Sequence, residues 1–361
     1  MGDHEDDFEV SVKISTKIIG ILSVAFVCLF TVGTLGWVAS RNPDVTPEKD
    51  RNGWSAQAVE SEEAKQFVGS LPDFLIVGDD KDHTHDNVRL WDAVIAVRGS
   101  HFENTPQQIG DCVSWGMKHA IEYLQCIEMK NGAQREFHFV YSPYIYGISR
   151  HQIGRDRYAN SDGSCMAWAV KGVQEYGVLR VDEPGTPGYS GSVARAWGGR
   201  TGPPPRFIEK AREFLVKTSS LVTTADAIRD SICNNYPVPF GAGNIGFNVV
   251  HEKYGRLVAS NVGVWAHAQC VIGYDGSGPE PLFCILNSWG PFAAGKAPID
   301  GSPPGSYWIT KKDMDFIARQ GDAFAISNFN GFKARTIDFR VTQKPQKKEK
   351  ENHGSIISLA L

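Results

Sequence analysis

Three residue types, widely spaced along the chain, could together break an acyl bond. Cys112 follows Gly110-Asp111 and starts a run, Val113 to Leu124, with the periodicity of a helix. The unpaired N–H groups and the dipole at a helix N-terminus stabilise an anion, so a thiol there ionises more readily. A thiolate nucleophile needs an imidazole to exchange its proton and a third group to hold that ring. Of the ten histidines, His267 opens the apolar run 264–274, and Asn287 stands at the end of the next run, 282–288. Paired as an antiparallel hairpin about residues 274–281, these runs would set His267 opposite Asn287 and Cys270 opposite Cys284. The Asn287 amide oxygen would then accept the imidazole N–H and fix its tautomer, with Trp289 covering that bond from water.

The elements that must position these groups follow from pattern. The chain has 361 residues, is 42% hydrophobic and 22% charged, and carries a net charge of −4. That supports a substantial core and gives no electrostatic footprint for nucleic acid. Helices are expected from Cys112 to about Met129, from Ser161–Cys165 to Tyr176 with Asp162 as an N-cap, and from Thr223–Asp226 to about Asn234. Strands are expected at 91–97, 237–241, 264–274, 282–288 and 306–310, and an aromatic strand or short helix at 138–150. Residues 183–205, rich in Gly and Pro, read as an extended crossing between two halves.

Ahead of this, residues 1–17 form an acidic tail. Residues 18–39 carry no charge for 22 positions, which as a helix spans about 33 Å, enough for a hydrocarbon core of about 30 Å. Trp37-Val38-Ala39 and the acidic head fit an uncleaved transmembrane anchor better than a signal peptide. Lys13 and Lys17 favour a domain outside the cytosol. Residues 40–89 read as a stalk and 336–361 as a charged C-terminal tail. The seven cysteines include no pair at metal-site spacing, so no structural zinc is expected. His83, His85, His101, His138 and His151 have no partner pattern and read as surface residues.

The chain resembles the papain-like cysteine peptidases, in their bacterial and phage-like branch, over residues 90–335. Gln-x-x-Gly-Asp-Cys (107–112), with Glu122 ten residues past Cys112, resembles the nucleophile motif. His267-Ala268 with Gly273-Tyr274 resembles the histidine strand, and Asn287-Ser288-Trp289-Gly290 with Gly305-Ser306-Tyr307-Trp308 the asparagine motif. The resemblance implies an α+β fold of two lobes, one helical and one β-barrel-like. It implies peptide-bond hydrolysis through an acyl-enzyme, with Cys112 as nucleophile, His267 as base and then acid, and Asn287 as orienter. Gln107, or alternatively Gln108, would join the Cys112 N–H in the oxyanion hole, and Asp162-Gly163-Ser164 and Trp289 would hold an extended peptide or protein substrate. No cofactor or metal is implied.

This sequence departs from the pattern in four ways. Pro106 stands where the glutamine is expected. Ser114 would take the nucleophile position in a shifted register, which would give an inactive papain-like protein that binds peptides or plays a structural role. Asp111 crowds the thiol and could cap the helix. Residues 41–89 are too few and too polar for an inhibitory pro-domain.

Overall fold

The computed structural model describes residues 52–335 apart from 134, 135, 156, 158, 159, 215 and 329. The expected anchor at 18–39 and the tails at 1–17 and 336–361 lie outside these residues. Among the described residues no helix is long and apolar enough to cross a membrane.

The first half is helical. α1 (Ala56–Val59) and α2 (Glu62–Ser70) are capped by the Ser55 and Ser61 hydroxyls. β1 (Ile76–Val77), β2 (Asn87–Arg89), α3 (Trp91–Arg98) and α4 (Cys112–Lys130) follow. α5 (Ser142–Gly147) runs on into a π-helical turn at Ile148–Ile153 and is followed by α6 (Met166–Glu175), α7 (Gly191–Gly198) and α8 (Pro205–Ala211). The second half holds β3 (Thr218–Leu221), α9 (Ala225–Cys233), β4 (Val238–Ile245), β5 (Val249–Lys253), β6 (Arg256–Ser260), β7 (Trp265–Asp275), β8 (Leu282–Leu286), β9 (Ser306–Thr310), α10 (Lys311–Ala318), β10 (Phe324–Ser327) and β11 (Phe332–Lys333). Its main sheet runs β2-β7-β8-β9-β6-β5, with β4 paired to the first part of β7. Helical first half and sheet-rich second half match the expected α+β architecture.

α4 is the seam. Fifteen of its 19 residues are buried, because the helix packs on α3 and α5 on one side and on β7 on the other. A Cβ on Gly116 would stand 2.9 Å from the Gln269 carbonyl oxygen, so glycine lets the helix lie directly on the β7 backbone.

Several expectations give way. Residues 91–97 are the helix α3, and the left-handed Gly99 ends it. Trp91, Ala93 and Val94 form one buried helical face, which a strand over 91–97 would split between its two sides. The crossing at 183–205 contains α7. Residues 52–71, expected as stalk, fold onto the domain: Trp54, Ala58, Ala64 and Phe67 belong to the core. The β7–β8 register also differs. Cys270 pairs with Leu286 and Gly273 with Cys284, with an irregularity between Val271 and Gly273. Cys270 and Cys284 are therefore not opposed, and both are free thiols. Of the five histidines read as surface groups, His83 is buried.

Candidate active site

Cys112 is the first residue of α4 and is fully buried. The Ala268 N–H, next in the chain to His267, reaches the Cys112 thiol, as do backbone groups of Gly53 and Val113. These donors favour a thiolate, but burial outweighs them and the nearby Asp111 adds to it, pushing the thiol up to about 12. Ser114 points elsewhere: its hydroxyl donates to the Asp111 carbonyl at 2.7 Å.

His267 lies near the start of β7 and Asn287 just past the end of β8. Despite the altered register, His267 Nε2 lies 2.9 Å from Asn287 Oδ1. Beside His267 the register is two positions off the expected one, which leaves both side chains on the same face, and Asn287, just past the end of β8, reaches the ring diagonally. The Trp289 ring lies over the imidazole at 4.4 Å between centroids and packs edge-on against Trp265 at 4.7 Å. An aromatic lid over this pair shields its hydrogen bond from water.

Gln107 is locked against the same loop. Its N–H donates to the Ser288 carbonyl at 2.8 Å, the Ser288 hydroxyl donates to Oε1 at 2.5 Å, and Nε2 donates to the Ile109 carbonyl at 2.7 Å. Gln108 is turned away, its Oε1 accepting the Gly191 N–H at 2.8 Å. Of the two glutamines, Gln107 is therefore the one tied to the loop that carries Asn287.

Asp111 does not cap α4 with its side chain. Its carboxylate accepts from the Tyr189 hydroxyl (3.1 Å) and the Trp115 indole (3.3 Å), while burial pushes its pKa to about 7. Asp162 does not cap α6 either. It pairs with Arg195 at 2.9 Å and accepts the Gly110 N–H at 3.3 Å, which fixes the turn before the thiol. The N-terminus of α6 is instead served from far along the chain: Asp322 accepts the N–H groups of Met166 (2.7 Å) and Ala167 (2.8 Å). Gly163 is held by the Tyr146 hydroxyl at 3.0 Å and by Arg150.

Ser164 is engaged by this chain's own N-terminal segment. Its N–H donates to the Gly53 carbonyl at 2.8 Å and its carbonyl accepts the Ser55 N–H at 2.9 Å, a parallel bridge centred on Trp54. The Trp54 N–H donates to the carbonyl of Ala266, the residue before His267, at 3.3 Å. The Trp54 indole is buried near Gly241 and Gly243 of β4, and its N–H donates to Asp322 at 2.7 Å. A Cβ on Gly53 would stand 1.9 Å from the Gly110 oxygen, so only glycine passes the nucleophile turn this closely. Asn52–Ser55 thus lies across the Cys112 turn, on the backbone that was expected to hold substrate. Sequence reasoning missed this segment. Its signal is Trp54, a lone large aromatic in a polar stretch.

No family model matches the sequence, and a search of curated proteins finds no match. Solved structures do resemble it. The proform of the cysteine protease Amb a 11, a major ragweed pollen allergen, is 15% identical with a TM-score of 0.52, covering 78% of this chain and 76% of that one. Procathepsin B S9 from Trypanosoma congolense is 13% identical with a TM-score of 0.50, covering 78% and 87%. Procathepsin L 3 from the larval midgut of Tenebrio molitor is 13% identical with a TM-score of 0.50, covering 77% of each chain. The fold is papain-like.

Proposed function

We propose that this chain is a cysteine-type peptidase whose cleft is covered by its own residues 52–55. The observation that carries the reading is the His267–Asn287 hydrogen bond of 2.9 Å, set beside a cysteine that begins a buried helix. With Nε2–H given to Asn287, the basic lone pair of the neutral ring is on Nδ1, the nitrogen that would exchange a proton with the Cys112 thiol. The thiolate would attack a peptide carbonyl, His267 would protonate the leaving amine, and water would release the acyl group. Gln107 and the Cys112 N–H would stabilise the oxyanion, each donor worth about 3–4 kcal/mol in a preorganised site. Substrate would be a peptide or protein strand bonding to Ser164 and Ala266 once Asn52–Ser55 leaves. Residues 18–39, on their sequence alone, would tether the enzyme to a membrane.

A second reading, an inactive papain-like binding protein, draws on the burial of Cys112 and its high pKa. Iodoacetamide labelling of the full chain across pH separates the two. Under the peptidase reading, Cys112 labels slowly in the native chain. It labels rapidly at neutral pH in Trp54→Ala, and that rate falls in Trp54→Ala/His267→Ala, alongside thiol-dependent cleavage of a fluorogenic peptide. Labelling of Cys112 in Trp54→Ala no faster than that of Cys126, with no cleavage, would sink the peptidase in favour of the binding protein.

A further inference from the structure

Away from the cleft, one cluster brings together three kinds of metal-ligating atom. His83 and Asp86, on the loop between β1 and β2, meet Cys233, the last residue of α9. One ligand atom from each lies within 4.8 Å of the others. His83 and Cys233 are 5% and 7% exposed, and the Asp86 side chain is 46% exposed. Cys233 has no hydrogen-bond partner among the described residues, which for a thiol this buried leaves its one polar atom unused.

The imidazole is held from its far side. His83 Nε2 lies 2.8 and 3.0 Å from the two Asp79 carboxylate oxygens, and Asp79 is itself fixed by the Asn234 amide at 2.6 Å. A ligating histidine characteristically gives its other ring N–H to a carboxylate, which sets the tautomer and aims the remaining lone pair at the ion. Here that lone pair is on Nδ1, the nitrogen that faces Asp86.

We propose that His83, Asp86 and Cys233 form a zinc site, with Asp79 as the carboxylate that orients His83 and a water as fourth ligand on the exposed Asp86 side. A thiolate, an imidazole and a carboxylate are the donors zinc takes, and soft sulfur disfavours magnesium or calcium. With Zn–N near 2.0 Å and Zn–S near 2.3 Å, tetrahedral donors stand about 3–4 Å apart. His83 Nδ1 and Asp86 Oδ2 are 2.6 Å apart, so zinc replaces their hydrogen bond by opening the pair by about 1 Å or less. Cys233 gives up its thiol proton, and any proton on Nδ1 leaves with it. The ion would tie the 78–86 loop to the end of α9, beside Asn234, whose side-chain Oδ1 accepts the Arg335 backbone N–H at 3.1 Å. The loop leads into β2, which pairs with Gly273–Asp275, the end of β7 remote from His267. The ion would thus clamp the scaffold behind the catalytic strand, with its water-bearing position open to solvent on the Asp86 side.

The test uses the full chain in a Cys112→Ala background, which removes the cleft thiol as a competing ligand. Zinc is titrated against a chromophoric chelator, and cobalt is read by its thiolate charge-transfer band. One equivalent of zinc is expected, with a rise in thermal midpoint. Asp86→Asn, a change at a half-exposed position that leaves the fold intact, should weaken zinc by at least about tenfold. Cys233→Ala should abolish the cobalt band. Absence of a zinc equivalent, or equal affinity in the parent and in Asp86→Asn, overturns the site and leaves His83 as a ring held between two carboxylates.

Discussion

Two cysteines sit at opposite ends of two helices, each with a histidine proposed to act with it, and the contrast explains what each can do. Cys112 begins α4, where the helix dipole and the N–H groups of Ala268 and Val113 favour a thiolate. His267, the base proposed for it, is held by a neutral amide, which does not fix the ring's charge as a carboxylate would. Cys233 ends α9, where the dipole opposes negative charge, and its histidine is gripped by Asp79 and Asp86. Burial comes first in raising both thiols; carboxylates raise Cys233 further. A thiol at a C-terminus among carboxylates is a poor nucleophile and a good ligand for a cation. A thiol at an N-terminus among N–H donors is the reverse, once its cover lifts.

The sharpest way to break the comparison is to exchange the roles. Cys112→Ser should reduce peptide cleavage by on the order of 10³-fold or more, whereas Cys233→Ser should leave kcat within about threefold. A fluorogenic peptide assay checks both, and equal losses would erase the distinction. His267→Ala should cost on the order of 10²–10⁴ in kcat, as expected for a lost general base. His83→Gln should lower the melting temperature instead, with kcat little changed.

The cover on Cys112 gives a third prediction. Trp54→Ala removes a buried indole and should destabilise the chain by about 3–5 kcal/mol, while raising the iodoacetamide labelling rate of Cys112 at least about tenfold. A stable variant with unchanged labelling would mean that Asn52–Ser55 does not guard the thiol.

Stability against pH probes the two carboxyls that flank this cover. Burial raises Asp111 and Asp322 to about 7 in the folded chain, against about 3.9 unfolded. The folded state thus holds more protons than the unfolded state between these values. The contribution of the two groups is greatest at acid pH and is lost as pH rises from about 4 through 7, by on the order of a few kcal/mol. Thermal unfolding followed across that range should show the decline, and Asp111→Asn should flatten part of it. The smallest effect is expected at Arg195→Ala. Its ion pair with Asp162 is half exposed and screened, so a loss below about 1 kcal/mol is expected in chemical denaturation.

The candidate trio could be picked out because each member lies in a local pattern: a glycine turn before a periodic helix for Cys112, the start of one apolar strand for His267 and the end of the next for Asn287. The expected hairpin sets His267 directly opposite Asn287. In the structure the strands beside His267 run two positions off that register, with Cys270 opposite Leu286, and a shift of two keeps both side chains on one face, so the contact survives as a diagonal one. Local pattern gives the face of a strand but not its register. The choice of Gln107 over Gln108 likewise waited on Ser288, 181 residues away in the chain.

What the sequence determined by itself was the α+β class, the contact between His267 and Asn287 and most helices and strands, since these depend on periodicity and on neighbours within a turn or a hairpin. What only the tertiary structure decided were the contacts between distant segments. Trp54 is joined to Asp322 across 268 positions, Asp322 rather than Asp162 serves the start of α6, and Cys233 is brought to a loop nearly 150 positions earlier. Such contacts form because buried polar groups must find partners wherever packing brings them, and no local window of sequence contains both halves.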